Sequence, residues 1–323
     1  MKTSLVYVAG VALFAAVASK IGWGLLVEQL EAVWVAVPLL VVLGFCRLCL
    51  QTSAWAWALR AEGIDTSIRR LMGMRLASQG IGYLTPLGAA VSEPMKIKLL
   101  GGSTANAASG TLVDTCTYWF ASAIAGIIAC LGAAMLAGLS RSVTVMLVVL
   151  GVAFVIGLVL MTRSKPLLPA LVRKLGARSP QWLCRGAEIE DRIRTFASRH
   201  PHEIRQMFWL DVVCQLILAA EVAAVLWTLR IPVEAGTILA LEAANRGVKM
   251  VTGWMPGRIG ADETASAGTF AALGLSSASG IALALARRMR DLLACLIGLA
   301  WLIWTTKFKT QQERELTPCR QLS

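Results

Sequence analysis

Apolar residues arrive in long runs along this chain, and polar positions fall mainly between them. A full membrane span needs about 20 mostly apolar residues. Six segments meet that length: 4–27, 32–58, 105–136, 142–162, 207–229 and 278–304. Two further stretches, 67–102 and 235–275, are apolar but interrupted by glycine, proline and charge. Pro86 and Pro256 stand near their middles, and each half is short for a span. Irregular backbone at membrane depth is tolerated only where protein or a wet cavity satisfies it. The pattern therefore predicts an all-α polytopic membrane protein with about six full transmembrane helices and two broken, re-entrant hairpins. The same residues also allow eight full spans. Trp23, Trp34, Trp55, Trp57, Trp227, Trp301 and Trp304 fall near span ends, where an aromatic belt is expected.

Composition agrees with the pattern. Of 323 residues, 57% are apolar and 15% charged. An ordinary soluble domain carries about 25% charged residues. This argues against a soluble enzyme, a disordered chain and a disulfide-rich secreted domain. The net charge of +12 sits in the loops. Segment 163–205 holds ten Lys and Arg, the tail 307–323 holds four, and Arg60, Arg69 and Arg70 follow the second span. By the positive-inside rule, both termini and the basic loop face the cytosol. Nucleic acid is not an expected partner, since no separate basic domain carries the charge. Within the loop, Leu183, Ile189, Ile193 and Phe196 line one face of an expected amphipathic helix. The first span imitates a signal peptide, but apolar character continues to Leu26 and favours an uncleaved helix. Cys46 and Cys49 form a lone C-x-x-C with no histidine at metal spacing, so no metal or other cofactor is expected.

An internal repeat at an offset of 170 residues organises the chain. Pro86 and Glu93 match Pro256 and Glu263, Ser92 matches Asp262, and Ala108-Ser109-Gly110 matches Ala278-Ser279-Gly280. The chain then reads as one transmembrane domain over 1–323, with repeat units at 32–136 and 207–304. The charge count places the first unit starting inside and ending outside, and the second the reverse. Inverted repeats with interrupted helices point to transporters, with a site near the midplane.

Ionisable residues within apolar spans are costly and invite functional roles. Glu93 and Glu263 come first, as gates or proton carriers, or as caps of half-helices. Glu242, Arg246 and Lys249 share one helical face, Arg258 follows Pro256, and Lys96 and Lys98 follow Glu93. These cations suit an anionic lipid headgroup. An internal Glu242–Arg246 pair with snorkelling lysines is the alternative. Arg287, Arg288, Arg290 and Asp291 crowd one turn of the last span, where they must face protein or a wet cavity. Asp211, Gln215 and Glu221 form a second polar face, Asp114 sits early in the third span, and Arg47 stands alone in the second. Nucleotide-binding, zinc-protease and nucleophile-elbow motifs are absent, so no enzymatic activity is expected.

Segment 82–102, GYLTPLGAAVSEPMKIKLLGG, resembles the first motif of the lysylphosphatidylglycerol synthase transmembrane, or flippase-like, family. Segment 253–263, GWMPGRIGADE, with ALGLS and ARRMRD downstream, looks like its second. The resemblance implies roles for Pro86, Glu93, Pro94, Lys96, Pro256, Gly260, Glu263 and Arg288, with Pro86, Pro94, Pro256 and Gly260 as hinges. Ser92 and Asp262 depart from the family pattern beside each glutamate, which bears on headgroup fit. The soluble aminoacyl-transferase domain of the synthases is not expected here. The implied function is movement of an anionic or modified lipid between leaflets. The alternatives are a membrane partner of a lipid-modifying or glycan-building enzyme, and an ion or small-solute carrier.

Overall fold

The computed structural model describes residues 23–320, apart from 86–87, 102–104, 139, 163–168, 170–171, 175–179 and 254. Every regular element among the described residues is helical. In chain order they are α1 (Trp23–Trp34), α2 (Val37–Ala61), α3 (Ile68–Leu84), α4 (Gly88–Leu99), α5 (Ala105–Leu136) and α6 (Arg141–Thr162). After the basic loop come α7 (Gln181–Arg199), α8 (Pro201–Thr228), α9 (Ala235–Thr252), a 3-10 turn (Pro256–Arg258), α10 (Ala261–Ala272) and α11 (Ser277–Arg320).

Three of the expected spans stand out by length and apolar character: α2, α5 and α8. A fourth coincides with α6, whose apolar stretch covers Arg141–Gly157. The segment 278–304 lies inside the 44-residue α11, whose arginine cluster lowers its apolar character. The first expected span falls outside the described residues except for its end. That end differs from the sequence reading: helix α1 continues through Glu28 and Glu31 to Trp34. The chain breaks at Val35–Ala36 instead, and Pro38 opens α2 in its first turn, where a missing N–H costs nothing.

The outer faces are apolar. Val42 and Phe45 of α2, Val149 and Ile156 of α6, Leu216 of α8 and Leu296 of α11 are each more than half exposed. Charged residues meanwhile lie inside: Arg75, Lys96, Asp114, Asp211, Glu221, Glu242, Arg246, Glu263 and Arg290 are all at most 8% exposed. A soluble protein has the opposite arrangement. Lipid must cover such a surface, and the chain is a multi-pass membrane protein.

The repeat is visible in the element order. A long helix, a broken pair and a second long helix occur as α2, α3/α4, α5 and again as α8, α9/α10, α11. Helix ends recur too. Ile64 N–H donates to Leu59 O at 2.8 Å after Gly63, and Ile231 N–H to Leu226 O at 2.9 Å after Arg230. Gly63 and Arg230 both have positive φ, as this helix stop requires. The units interlock: α5 packs on α9, α11 packs on α3, and α2 packs on α8. Glycines permit these approaches. A Cβ on Gly236 would lie 2.7 Å from the Leu136 backbone, and one on Gly298 would lie 2.3 Å from the Leu76 backbone. Close backbone packing of this kind replaces the hydrophobic effect as the driving force between helices in lipid.

The two breaks differ. Helices α3 and α4 cross backbone to backbone, with a Cβ on Gly82 reaching within 2.7 Å of Gly88 O. Pro86 lies outside the described residues. Pro94 sits within α4, which continues through it. In the second unit, Gly257 (φ 59°), Arg258 (φ 47°) and Gly260 (φ 82°) turn the chain from α9 into α10. Tyr83, at the end of α3, lies beside Gly257, so the two breaks meet. The amphipathic helix α7 forms as expected. Its Phe196 is 3% exposed and packs with Ala54, Ala58, Val113 and Met207, so it docks on the ends of α2, α5 and α8.

Gly298→Ala places a methyl group into the α3 backbone and should cost about 1–3 kcal/mol, the usual range for overpacking. Gly268→Ala meets nothing within 4 Å and should gain about 0.5–1 kcal/mol from helix propensity. Thermal midpoints in detergent check both, and equal midpoints would refute the close α3–α11 packing.

Candidate functional site

Burying charges in apolar surroundings demands partners, and the pairing here follows the helices. Three arginines project from one turn of α11. Arg287 bonds Glu242 at 2.8 Å and lies 3.8 Å from Glu221. Arg288 bonds Glu263 at 2.8 Å and donates to the Arg258 carbonyl at 3.3 Å. Arg290 pairs with Glu221 and with its neighbour Asp291. One turn of α11 is thereby tied to α8, α9 and α10. The Arg287–Asp291 pairing that helical spacing allows is replaced by these contacts between helices.

Arg246 extends the network. It reaches Glu242 at 3.3 Å, Gln215 at 2.9 Å and the Ser122 hydroxyl at 2.8 Å. Its charge is thus held by α5, α8 and its own α9. Glu263 combines a pair and a cap. One oxygen binds Arg288, and the other accepts from Gly260 N–H at 2.9 Å at the start of α10. Glu93, its counterpart in the repeat, lies mid-helix in α4. It binds Lys96 at 2.8 Å and accepts from the Thr115 hydroxyl at 2.9 Å. Arg258 bonds Asp262 at 3.2 Å.

A second buried cluster forms around Arg75, which the sequence did not bring forward. Arg75 of α3 pairs with Asp114 of α5. Trp55 is fully buried and donates through Nε1 to the Thr111 hydroxyl at 3.2 Å. Arg75 and Lys96 both lie over its ring, at 5.7 and 5.8 Å from the centroid. A cation near an aromatic face is stabilised by the ring quadrupole. Trp55 therefore belongs to the charged interior and not to an interfacial belt. Trp34, Trp227 and Trp304, each at least 60% exposed, do face outward. Arg75 lies in the broken stretch 67–102, and its burial and the Asp114 pair are what distinguish it.

Between the two units lies a cavity of about 520 Å³. Helix α2 contributes Arg47 and Gln51, α3 contributes Arg75, Gln79 and Tyr83, and α4 contributes Glu93 and Lys96. Asp114 and Tyr118 of α5 complete the first wall, and Asp211 of α8 opens the second. The second unit adds Lys249, Arg258, Arg290 and Asp291. Lys249, Arg258, Arg290 and Asp291 also line a smaller cavity of about 40 Å³, with Asp262 and Arg288. Of the residues singled out in the sequence, Glu93, Lys96, Lys249 and Arg258 face the large cavity. Asp262 and Arg288 face the small one, while Arg246 and Glu263 are enclosed in the network behind it. Six cations and four acids line the large cavity. Arg47 and Lys249 form no salt bridge among the described residues. Asp291 feels both charges, but Arg290 already holds its Oδ1 at 2.8 Å. The cavity therefore offers the Arg47 guanidinium and the Lys249 amine to whatever enters.

Glu221 is fully buried and serves two arginines. Glu221→Ala should cost about 3–5 kcal/mol, because it leaves buried positive charge uncompensated. Loss of the monodisperse folded species on purification, or a steep fall in the thermal midpoint, would show it. An unchanged midpoint would refute the network.

No curated protein and no solved structure matches the chain. The family profile of the lysylphosphatidylglycerol synthase transmembrane region, in contrast, matches residues 3–298 of the 323. That match spans both broken pairs, α5 and the arginine cluster of α11, and the chain belongs to that family.

Proposed function

We propose that this protein moves a lipid between leaflets, with the headgroup passing through the cavity and the acyl chains remaining in the bilayer. The observation that carries this reading is the large cavity between the units, where Arg47 and Lys249 face the space with no acid of their own. Membership of a lipid-linked membrane family supports it. An anionic headgroup, such as a phosphate ester, suits this surplus. Arg offers a planar fork of donors and Lys a point charge, and both bind phosphate oxygens well.

Helices α4 and α10 have 12 residues each, about 18 Å at 1.5 Å per residue. That is short of the roughly 30 Å hydrocarbon core, which favours re-entrant hairpins over full spans. In this arrangement the units are inverted and both termini lie in the cytosol of a bacterial inner membrane. Glu93 and Lys96 border the headgroup path, and Arg258 reaches it from the opposing break. Arg246, Arg288, Asp262 and Glu263 hold the second unit in shape around it. The chain forms and breaks no covalent bond and calls on no cofactor. Its partners are membrane lipids, with a lipid-modifying enzyme as a supplier or consumer of the cargo.

Native mass spectrometry of the purified protein with its retained lipids tests this. One anionic lipid class should stay with the wild type. Each of Arg47→Ala and Lys249→Ala should lower its retention about tenfold or more, since a hydrogen bond to a charged group is worth about 1.5–3 kcal/mol. The same substitutions should slow leaflet exchange of that lipid in proteoliposomes. Equal retention of bulk lipid by all three proteins, with unchanged exchange, would sink the proposal.

A further inference from the structure

Among the described residues, eight carboxylates stand in or beside the cavities and the arginine network, and seven of them pair with a cation. Glu93 has Lys96, Asp114 has Arg75, and Asp262 has Arg258. Glu221, Glu242, Glu263 and Asp291 share the arginines of α9 and α11. Asp211 is the eighth. It is 1% exposed, and among the described residues its Oδ2 accepts no hydrogen bond and it forms no salt bridge. It nevertheless lines the large cavity, next to Asp114 and Arg75.

The charges that act on Asp211 are few. From α5 come Asp114 and the Thr117 hydroxyl, and from α3 comes Arg75. On its own helix, Cys214 stands beside it and donates to the Arg47 carbonyl of α2 at 3.8 Å. No ionisable group of α1, α2, α7 or α9 is among them: Arg47 of α2 lines the same cavity but acts on Cys214. Two carboxylates thus face a single guanidinium, which the Asp114 pair already engages. A second ionised carboxylate there would be a buried charge without compensation, which proteins avoid by taking up a proton.

We propose that Asp211 is a proton-binding site of the cavity, its carboxyl holding a proton drawn from cavity water, so that Asp114, Asp211 and Arg75 together carry no net charge. Arg75 has an unused buried donor in Nε. If its guanidinium turns from Asp114 to Asp211, the proton leaves Asp211 and Asp114 takes one in its place. An anionic occupant that draws Arg75 away leaves both carboxylates to be neutralised, and a second proton enters. The triad would thereby tie the contents of the cavity to the proton gradient. The proton site goes beyond the lipid reading and stands without it.

Infrared difference spectroscopy of the purified full-length chain in detergent, with no lipid added, reads the site directly. The wild type should show a protonated-carboxyl stretch at neutral pH that disappears on raising the pH. Asp211→Asn should lose that band. Its thermal midpoint should match the wild type in acid, exceed it at neutral pH and lack that part of the wild-type decline between the two, because unfolding lets Asp211 ionise whereas the amide has no proton to lose. Asp114→Asn should also lose the neutral-pH band, since Arg75 then pairs with an ionised Asp211. It carries the test alone if Asp211→Asn does not fold. A wild-type spectrum without the band, or a band that survives both substitutions, would overturn the proton site and leave lipid retention by Arg47 and Lys249 to be judged separately.

Discussion

A charge surrounded by hydrocarbon must find a counter-charge, and this constraint holds the structure together at Arg287, Arg288 and Arg290. These three side chains leave one turn of α11 and end on acids from α8, α9 and α10. Removing one acid leaves an unsolvated cation, so each contact is far more costly to break than to have. The second unit is therefore fixed less by its apolar packing than by this set of pairs. The small residues at its interfaces follow from that. Backbones must come close enough for short acids such as Glu221 to reach a partner helix.

The two units show how one sequence pattern is put to two uses. Glu93 and Glu263 occupy the same register of the repeat. Glu263 sits three residues past Gly260, at the start of a helix, and caps it. Glu93 sits well inside α4, beyond the crossing at Gly82 and Gly88, and turns instead to Lys96 and Thr115. The first unit consequently keeps its acid at the cavity wall, while the second spends its own on holding a helix end and an arginine. The large cavity is lined mostly by first-unit residues for this reason.

Much of this arrangement was legible in the sequence. The apolar runs marked α2, α5, α6 and α8 within a few residues. The repeat anticipated the recurring order of long helix, broken pair and long helix. The crowding at 287–291 announced an interior face before any partner was visible. What escaped were relations between distant residues. Arg75 carries no signal in the sequence, and only its burial against Asp114 marks it. Trp55 fitted a belt by position, yet it serves as a floor for two cations. Asp211 could be placed on a polar face, but only the pairing of the other seven acids isolates it. Arg246 is a further case, since composition marks it as a cation without saying that Gln215 and Ser122 already claim it.

The order of residues along the chain gives the α11 arginines a consequence for biosynthesis. Glu221, Glu242 and Glu263 all precede Arg287, so each acid has left the ribosome before the helix that needs it. Helix α11 is a poor candidate for independent insertion, because its cluster would enter lipid bare. It need not enter lipid alone. The preceding helices present three carboxylates as a prepared slot, and the arginines are neutralised as they arrive. This order allows α11 to be integrated by docking onto earlier helices, with the acids of α8, α9 and α10 as its template.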